Sequence, residues 1–308
     1  MNPYVPYRTT FQWHINNTCN RRCKHCYQEN YNDTNLPFSD YLSFLEKISD
    51  FSIHFKNHSP KFKTHINFTG GEPFLFEEFI PLLKETRKKK LFSFGILSNG
   101  FIPSEKTILA LKTLAPSFIQ ISLEGNKKTN DEIRGKGSYD EVKHALKTYK
   151  KHGIPTVISF TANALNYNEF PKVVSFANKY GAAKVWTDRY VPNDDKDPLM
   201  LSSIQAKEYF TILDKEKNKK RVPMLFKVHI ATNRALQFLK AGGLPYHCSA
   251  GDTLLAIMPN GDIMPCRRLP IVIGNLQTDS LTELYRKNNI LNELRNKEQS
   301  VRLETNLV

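Results

Sequence analysis

The stretch Cys19-Asn20-Arg21-Arg22-Cys23-Lys24-His25-Cys26 places three of the chain's five cysteines within eight residues. It follows an alternating apolar run, Phe11–Asn17, that reads as a first β-strand. Thiols spaced in this way suit a loop wrapped around a cuboidal iron–sulfur cluster, because each sulfur can then ligate a separate iron. Three ligands leave one iron open. A zinc site is the competing reading, but closed tetrahedral zinc sites usually pair two Cys-x-x-Cys or Cys/His knuckles, and no fourth ligand stands at such spacing. Unliganded core cysteines fit less well, since Asn20, Arg21, Arg22 and Lys24 are not core residues.

Outward from this loop, apolar runs alternate with helical patterns as far as about residue 190, the signature of repeated βα units on a parallel sheet. The remaining strands are expected at Thr64–Thr69, Leu91–Leu97, Phe118–Leu123, Thr156–Thr161 and Lys184–Tyr190. Tyr41, Leu42, Leu45, Ile48 and Phe51 recur at helical spacing behind a cap expected at Ser39. Six such units are too few to close a full barrel. The expected fold class is therefore α/β, an open partial (β/α)6 barrel over residues 1–201.

From about Ser202 the pattern changes to two helical segments and then to a Gly- and Pro-punctuated region, Gly242 to Asn275. Pro259-Asn260-Gly261-Asp262 lies between Leu254–Met258 and Ile263–Met264 and reads as a hairpin turn, since Asn-Gly tolerates positive φ. A helix is expected at Leu281–Leu294. Residues 202–308 are thus read as a helical linker and a small hairpin-plus-helix module, with Cys248 and Cys266 flanking the hairpin.

Composition bounds the remaining possibilities. At 308 residues, 40% hydrophobic and with twenty phenylalanines, the chain has material for a sizeable core and at most two domains. No apolar run approaches the roughly 18 residues of a membrane span, and Met1 to Thr10 carries no export signal, so a cytoplasmic protein is expected. Five unevenly placed cysteines are too few for a disulfide scaffold. The net charge of +14 is spread over lysines at 84–90, 143–151 and 215–220 that read as solvated helix faces, so a nucleic-acid partner is not expected.

The cysteine loop at the end of a first strand resembles the radical S-adenosylmethionine (SAM) superfamily. That resemblance implies a 4Fe-4S cluster on Cys19, Cys23 and Cys26, with SAM bound at the open iron and cleaved reductively to methionine and a 5′-deoxyadenosyl radical. Further positions are similar to the family's cofactor contacts. Phe68-Thr69-Gly70-Gly71-Glu72-Pro73 matches the segment set against the methionine ammonium. Ser98-Asn99-Gly100 and Ser122-Leu123-Glu124-Gly125 stand at strand ends that meet ribose and carboxylate. Arg134 resembles the arginine that pairs with the cofactor carboxylate, a task suited to its forked donors. His25 takes the position bordering adenine, and Tyr190, in Asp188-Arg189-Tyr190-Val191-Pro192, a segment closing the adenine side.

Cys248 and Gly261-x-x-x-x-Cys266, with Gly274-Asn275-Leu276 downstream, resemble the opening of a SPASM module, which carries auxiliary iron–sulfur clusters in that subfamily. The family's dense cysteine cluster does not follow, so the auxiliary ligand set is incomplete, whether by truncation or by decay of the module. Inert buried thiols are the bland reading of the pair; one of the two could instead return a hydrogen atom to a substrate radical. Arg267 and Arg268 stand where sulfatase-maturing relatives carry a catalytic aspartate. With eighteen residues ahead of Cys19, a leader peptide would need another docking surface. The expected function is hydrogen abstraction from a ribosomally made peptide, giving a thioether, a carbon–carbon crosslink or an epimer, with flavodoxin or ferredoxin as reductant. A non-catalytic cluster-binding partner and modification of a sugar or tetrapyrrole are the alternatives.

Overall fold

The structure, a computed structural model, describes residues 6–32, 36–192, 194, 196–219, 228–232 and 248–295. The chain divides into two units, one built on Met1–Thr18, Asn30–Ile96 and Pro245–Val308, the other on Cys19–Glu29 and Leu97–Leu244.

In the first unit, β1 (Arg8–His14), β2 (Lys63–Thr69) and β3 (Phe92–Ser98) run parallel, and β8 (Leu254–Ile257) lies parallel on the other side of β1. β9 (Asp262–Met264) and β10 (Gly274–Asn275) follow antiparallel. Alternation decides the faces. Phe11 meets Phe51, and Trp13 meets Tyr41 and Phe44, all on helix α1 (Phe38–His58), so one side of β1 seals the core. On β1 and β2 the opposite side carries only polar residues: Arg8, Thr10, Gln12 and His14, then Lys63, His65, Asn67 and Thr69. The helix after β9 and β10 is interrupted: α8 (Leu281–Lys287) ends and α9 (Asn289–Arg295) begins at Asn288, whose Oδ1 accepts from the Leu291 N–H at 3.2 Å. Tyr285 of α8 packs edge-on against Phe51 and Phe55.

In the second unit, β4 (Ile119–Ser122), β5 (Thr156–Ala162), β6 (Lys184–Arg189) and β7 (His229–Thr232) are all parallel. Helices α4 (Lys127–Arg134) and α5 (Ser138–Lys151) connect β4 to β5, α6 (Phe170–Tyr180) leads to β6, and α7 (Ser203–Asn218) follows. Phe160 packs on Phe170 and Tyr209, fixing the helix side of this sheet. The other side again carries mostly polar residues, Gln120, Ser122, Ser159, Thr161, Lys184 and Asp188, with Val157 and Trp186 between them.

The α/β class and the six parallel βα strands are as expected, and among the described residues the strand order is open rather than joined into a closed barrel. Several details differ. β1 starts and ends three residues before the expected Phe11–Asn17; it ends early because Ile15 and Asn16 already meet the end of β2 and the turn after it, the Ile15 N–H reaching Thr69 O at 2.9 Å and the Gly71 N–H reaching Asn16 O at 3.0 Å. α1 begins after Pro37 with no side-chain cap, so Ser39 lies inside it. The hairpin at Asn260-Gly261 forms with Gly261 at φ 86°, yet its first strand also pairs with β1. α7 is one of the two expected helical segments; the other lies outside the described residues. The helix expected at Leu281–Leu294 is two helices.

Candidate cluster and cofactor site

The second unit gathers most of the expected site. Cys19 and Cys23 are half-buried, Cys26 is exposed, and none of the three is in a disulfide. Burial pushes the Cys23 thiol up, while the neighbouring Arg134 charge opposes that rise. Asn99, expected at the ribose, donates to Cys19 Sγ at 3.5 Å and to Asn20 Oδ1 at 2.8 Å, so it also steadies the cysteine loop. Ser98 accepts from the Gly100 N–H at 3.1 Å, and Ser122 stands half-buried at the end of β4.

The centre of the site is a carboxylate that the sequence shows only as part of the Ser122-Leu123-Glu124-Gly125 segment. Glu124, 1% exposed, accepts from Arg134 Nη1 at 3.1 Å and from the Thr161 N–H at 3.0 Å, and His25 Nε2 lies 3.4 Å from it. Burial pushes the Glu124 carboxyl up, but His25, Arg134 and the Thr161 amide outweigh it and hold it below its ordinary range. Burial also works against the Arg134 charge, and Cys23 and Glu124 overcome it, so the guanidinium stays protonated. Tyr190 meets the His25 ring edge-on at 6.5 Å and donates to Asp197 Oδ2 at 2.6 Å; burial and this partner push its phenol up to about 12. The signal for Glu124 was its motif; its partners His25 and Arg134 were legible only in three dimensions.

Gly70, Gly71, Glu72, Cys248 and Cys266 belong to the first unit. A Cβ on Gly71 would stand 2.1 Å from Thr18 O, so only glycine lets the Glu72 N–H reach that carbonyl at 2.8 Å. The Gly-Gly-Glu segment therefore pins the backbone just ahead of Cys19. Glu72 Oε1 accepts from the Phe74 N–H at 3.4 Å. Cys248 and Cys266 are half-buried and not in disulfides. His14, at the end of β1, is held neutral by burial and by Arg267, its pKa lowered to about 3.

Two observations test whether these residues fit a cluster and SAM. Three thiols share one loop with a buried cation beside Cys23, the charge that thiolates and an anionic cluster require. Arg134 Nε and His25 Nδ1 are buried without a hydrogen-bond partner among the described residues, leaving one donor for a carboxylate and one ring nitrogen for a base edge. The residues fit.

The family model described as the Radical SAM superfamily matches residues 13–177, more than half of the chain. The chain belongs to the radical SAM superfamily. A second family model, SPASM, an iron-sulfur cluster-binding domain, matches residues 248–304. As a radical SAM protein the chain stands among enzymes whose names are synthases and maturases. It is 28% identical over 168 residues to the Fe-coproporphyrin III synthase of Methanosarcina barkeri, covering 52% of this chain and 39% of that protein. It is 24% identical over 297 residues to the sporulation killing factor maturation protein SkfB of Bacillus subtilis, covering 92% and 66%. The chain thus spans less than two thirds of the length of either. The crystal structure of Streptococcus suis SuiB bound to precursor peptide SuiA has the same fold, with TM-score 0.74 at 18% identity over 95% of this chain and 67% of that one. No described helix is long and apolar enough to cross a membrane.

Proposed function

We propose that the chain cleaves SAM reductively to take a hydrogen atom from a ribosomally synthesised peptide, with residues 1–201 carrying the radical chemistry and residues 202–308 forming a helical linker and a SPASM-like module. When bound, the cluster would supply one electron, and SAM, cleaved to methionine, would supply the 5′-deoxyadenosyl group that accepts the hydrogen atom. The chain's own residues bind and orient. Cys19, Cys23 and Cys26 ligate the cluster, and Gly70 to Glu72 hold the backbone that leads into them. Arg134 pairs with the SAM carboxylate through its free Nε, Glu124 keeps Arg134 and His25 in place, and Tyr190 backs the His25 ring. Ser98, Asn99 and Ser122 border the ribose. A flavodoxin or ferredoxin delivers the electron.

The observation that carries the peptide reading is the polar strand face in each unit. Gln12, Asn67, Ser122, Ser159 and Thr161 set polar groups on these faces and outnumber the apolar Val157 and Trp186, where a tetrapyrrole would favour flat apolar walls throughout. Peptide amides satisfy such groups. The relation to SkfB agrees, while the relation to the coproporphyrin enzyme motivates the tetrapyrrole alternative. The test uses anaerobically reconstituted protein, dithionite and SAM, with peptide and small-molecule fractions of a fully deuterated extract offered separately. Deuterium arriving in 5′-deoxyadenosine from the peptide fraction supports the reading; transfer solely from the small-molecule fraction overturns it.

A further inference from the structure

Arg21 lies between the first two cysteines, where a side chain has every opportunity to extend into water. Its neighbours Asn20, Arg22 and Lys24 are exposed, yet the Arg21 side chain is only 11% exposed. The guanidinium folds back on the corner between α4 and α5. Nη2 forms an ion pair with Glu141 in the first turn of α5, and Nη1 donates to Lys136 O at 3.3 Å. A second strap lies beside it: the Lys24 N–H donates to Ile133 O at 2.9 Å, and Lys24 Nζ to Glu132 Oε1 at 3.0 Å.

The corner that receives Arg21 is itself built to hold shape. Asp131 accepts from the Gly137 N–H at 3.0 Å, from the Tyr139 N–H at 2.9 Å and from Ser138 Oγ at 3.1 Å. Asn130 donates to Ser138 Oγ at 2.8 Å and accepts from the Glu124 N–H at 2.8 Å. A continuous set of hydrogen bonds thus runs from the Arg21 corner to the backbone of Glu124, whose carboxylate holds Arg134.

We infer that Arg21 is a positioning residue, latching the cysteine loop through Glu141 and Lys136 O to the corner that also places Arg134 and Glu124. This rests on the cluster and SAM reading of the site. Its consequence is that the cluster and the Arg134 donor share one frame, so loosening the latch weakens SAM binding without removing any group that touches SAM. Arg21's forked donors engage a carboxylate and a carbonyl at once, which a lysine cannot reproduce.

The experiment compares iron content, SAM affinity by calorimetry and the electron paramagnetic resonance signal of the dithionite-reduced cluster, with and without SAM, in wild type, Arg21→Ala, Arg21→Lys, Glu141→Gln and the Arg21→Ala/Glu141→Gln double variant. Arg21→Ala should keep its iron, bind SAM about tenfold more weakly and show a smaller SAM-induced change in the signal, the loss of one charged contact. Arg21→Lys should recover part of the affinity. The double variant should be no weaker than Arg21→Ala, because both changes break one latch. Wild-type affinity and signal in iron-replete Arg21→Ala would overturn the inference, as would additive losses in the double variant. Should Arg21→Ala shed its iron, Glu141→Gln decides by the same two readouts, and unchanged values overturn. A wild type that neither holds iron nor binds SAM refutes the underlying site reading, and the latch with it.

Discussion

Replacing Gly71 with alanine tests the backbone clamp ahead of the cysteine loop. The added Cβ would lie 2.1 Å from Thr18 O, 2.5 Å from Thr18 C and 2.6 Å from Asn17 O. All three are backbone atoms, so no rotamer change relieves the clash, and the segment must move by about 1 Å to restore ordinary contact. Overpacking of this kind costs about 1 to 3 kcal/mol, and the rigid neighbours put this case near 3. For a chain of this size each kcal/mol lowers the melting temperature by roughly 2 to 4 °C, so the expected drop is roughly 6 to 12 °C. Iron content should fall with it, since Thr18 directly precedes Cys19. Gly137→Ala is the control: its Cβ meets nothing within 4 Å, and its φ of +84° leaves a backbone cost of about 1 kcal/mol. Scanning calorimetry and iron quantification read both variants. A Gly71→Ala protein that melts with the wild type, iron intact, would refute the clamp.

Three further outcomes follow from particular side chains. Burial and Arg267 lower the His14 pKa from 6.5 to about 3, so the fold favours the neutral ring. Its stability contribution is therefore full above 6.5 and is lost progressively as pH falls toward 3. Going from pH 7 to 5 should cost about 2 kcal/mol that His14→Asn does not lose, and parallel denaturation curves for the two proteins would contradict this. Glu124→Ala leaves the Arg134 cation buried without its carboxylate, and urea unfolding should show a loss of about 3 to 5 kcal/mol; a change below about 1 would argue against the pair. Cys248 and Cys266 are too few to complete a four-cysteine cluster, so Cys248→Ala and Cys266→Ala should each retain the roughly four irons of the first loop. A fall in iron in either variant would show that the pair ligates metal.

Much of the fold was legible because it is written in local periodicity. Phe11 and Trp13, Ile66 and Phe68, and Ile119 and Ile121 alternate along single strands, and that alternation marks βα units without any tertiary information. Long-range pairing leaves no such mark. The parallel ladder of Leu254–Ile257 on β1 joins residues some 240 positions apart, and the four-residue β7 has too few positions to show a period. The break at Asn288 was hidden because helical spacing continues through it, while the Asn288 side chain caps the next helix. In the site, residue types and spacing exposed the thiols, the glycines and Arg134. Alternation pointed to Ser122 at the strand end, while Glu124 two residues on takes its importance from His25 and Arg134. Asn99 is a similar case, read as a ribose contact and found holding Cys19 and Asn20.

On the proposed reading, Cys19, Cys23 and Cys26 hold the cluster that lets this chain cleave SAM. Anaerobically reconstituted protein, reduced with dithionite in the presence of SAM, should release 5′-deoxyadenosine, and the Cys19→Ala/Cys23→Ala/Cys26→Ala variant should release none and lose the cluster absorbance. Iron-loaded wild type that forms no 5′-deoxyadenosine, or a triple variant with unchanged iron and release, would contradict the account.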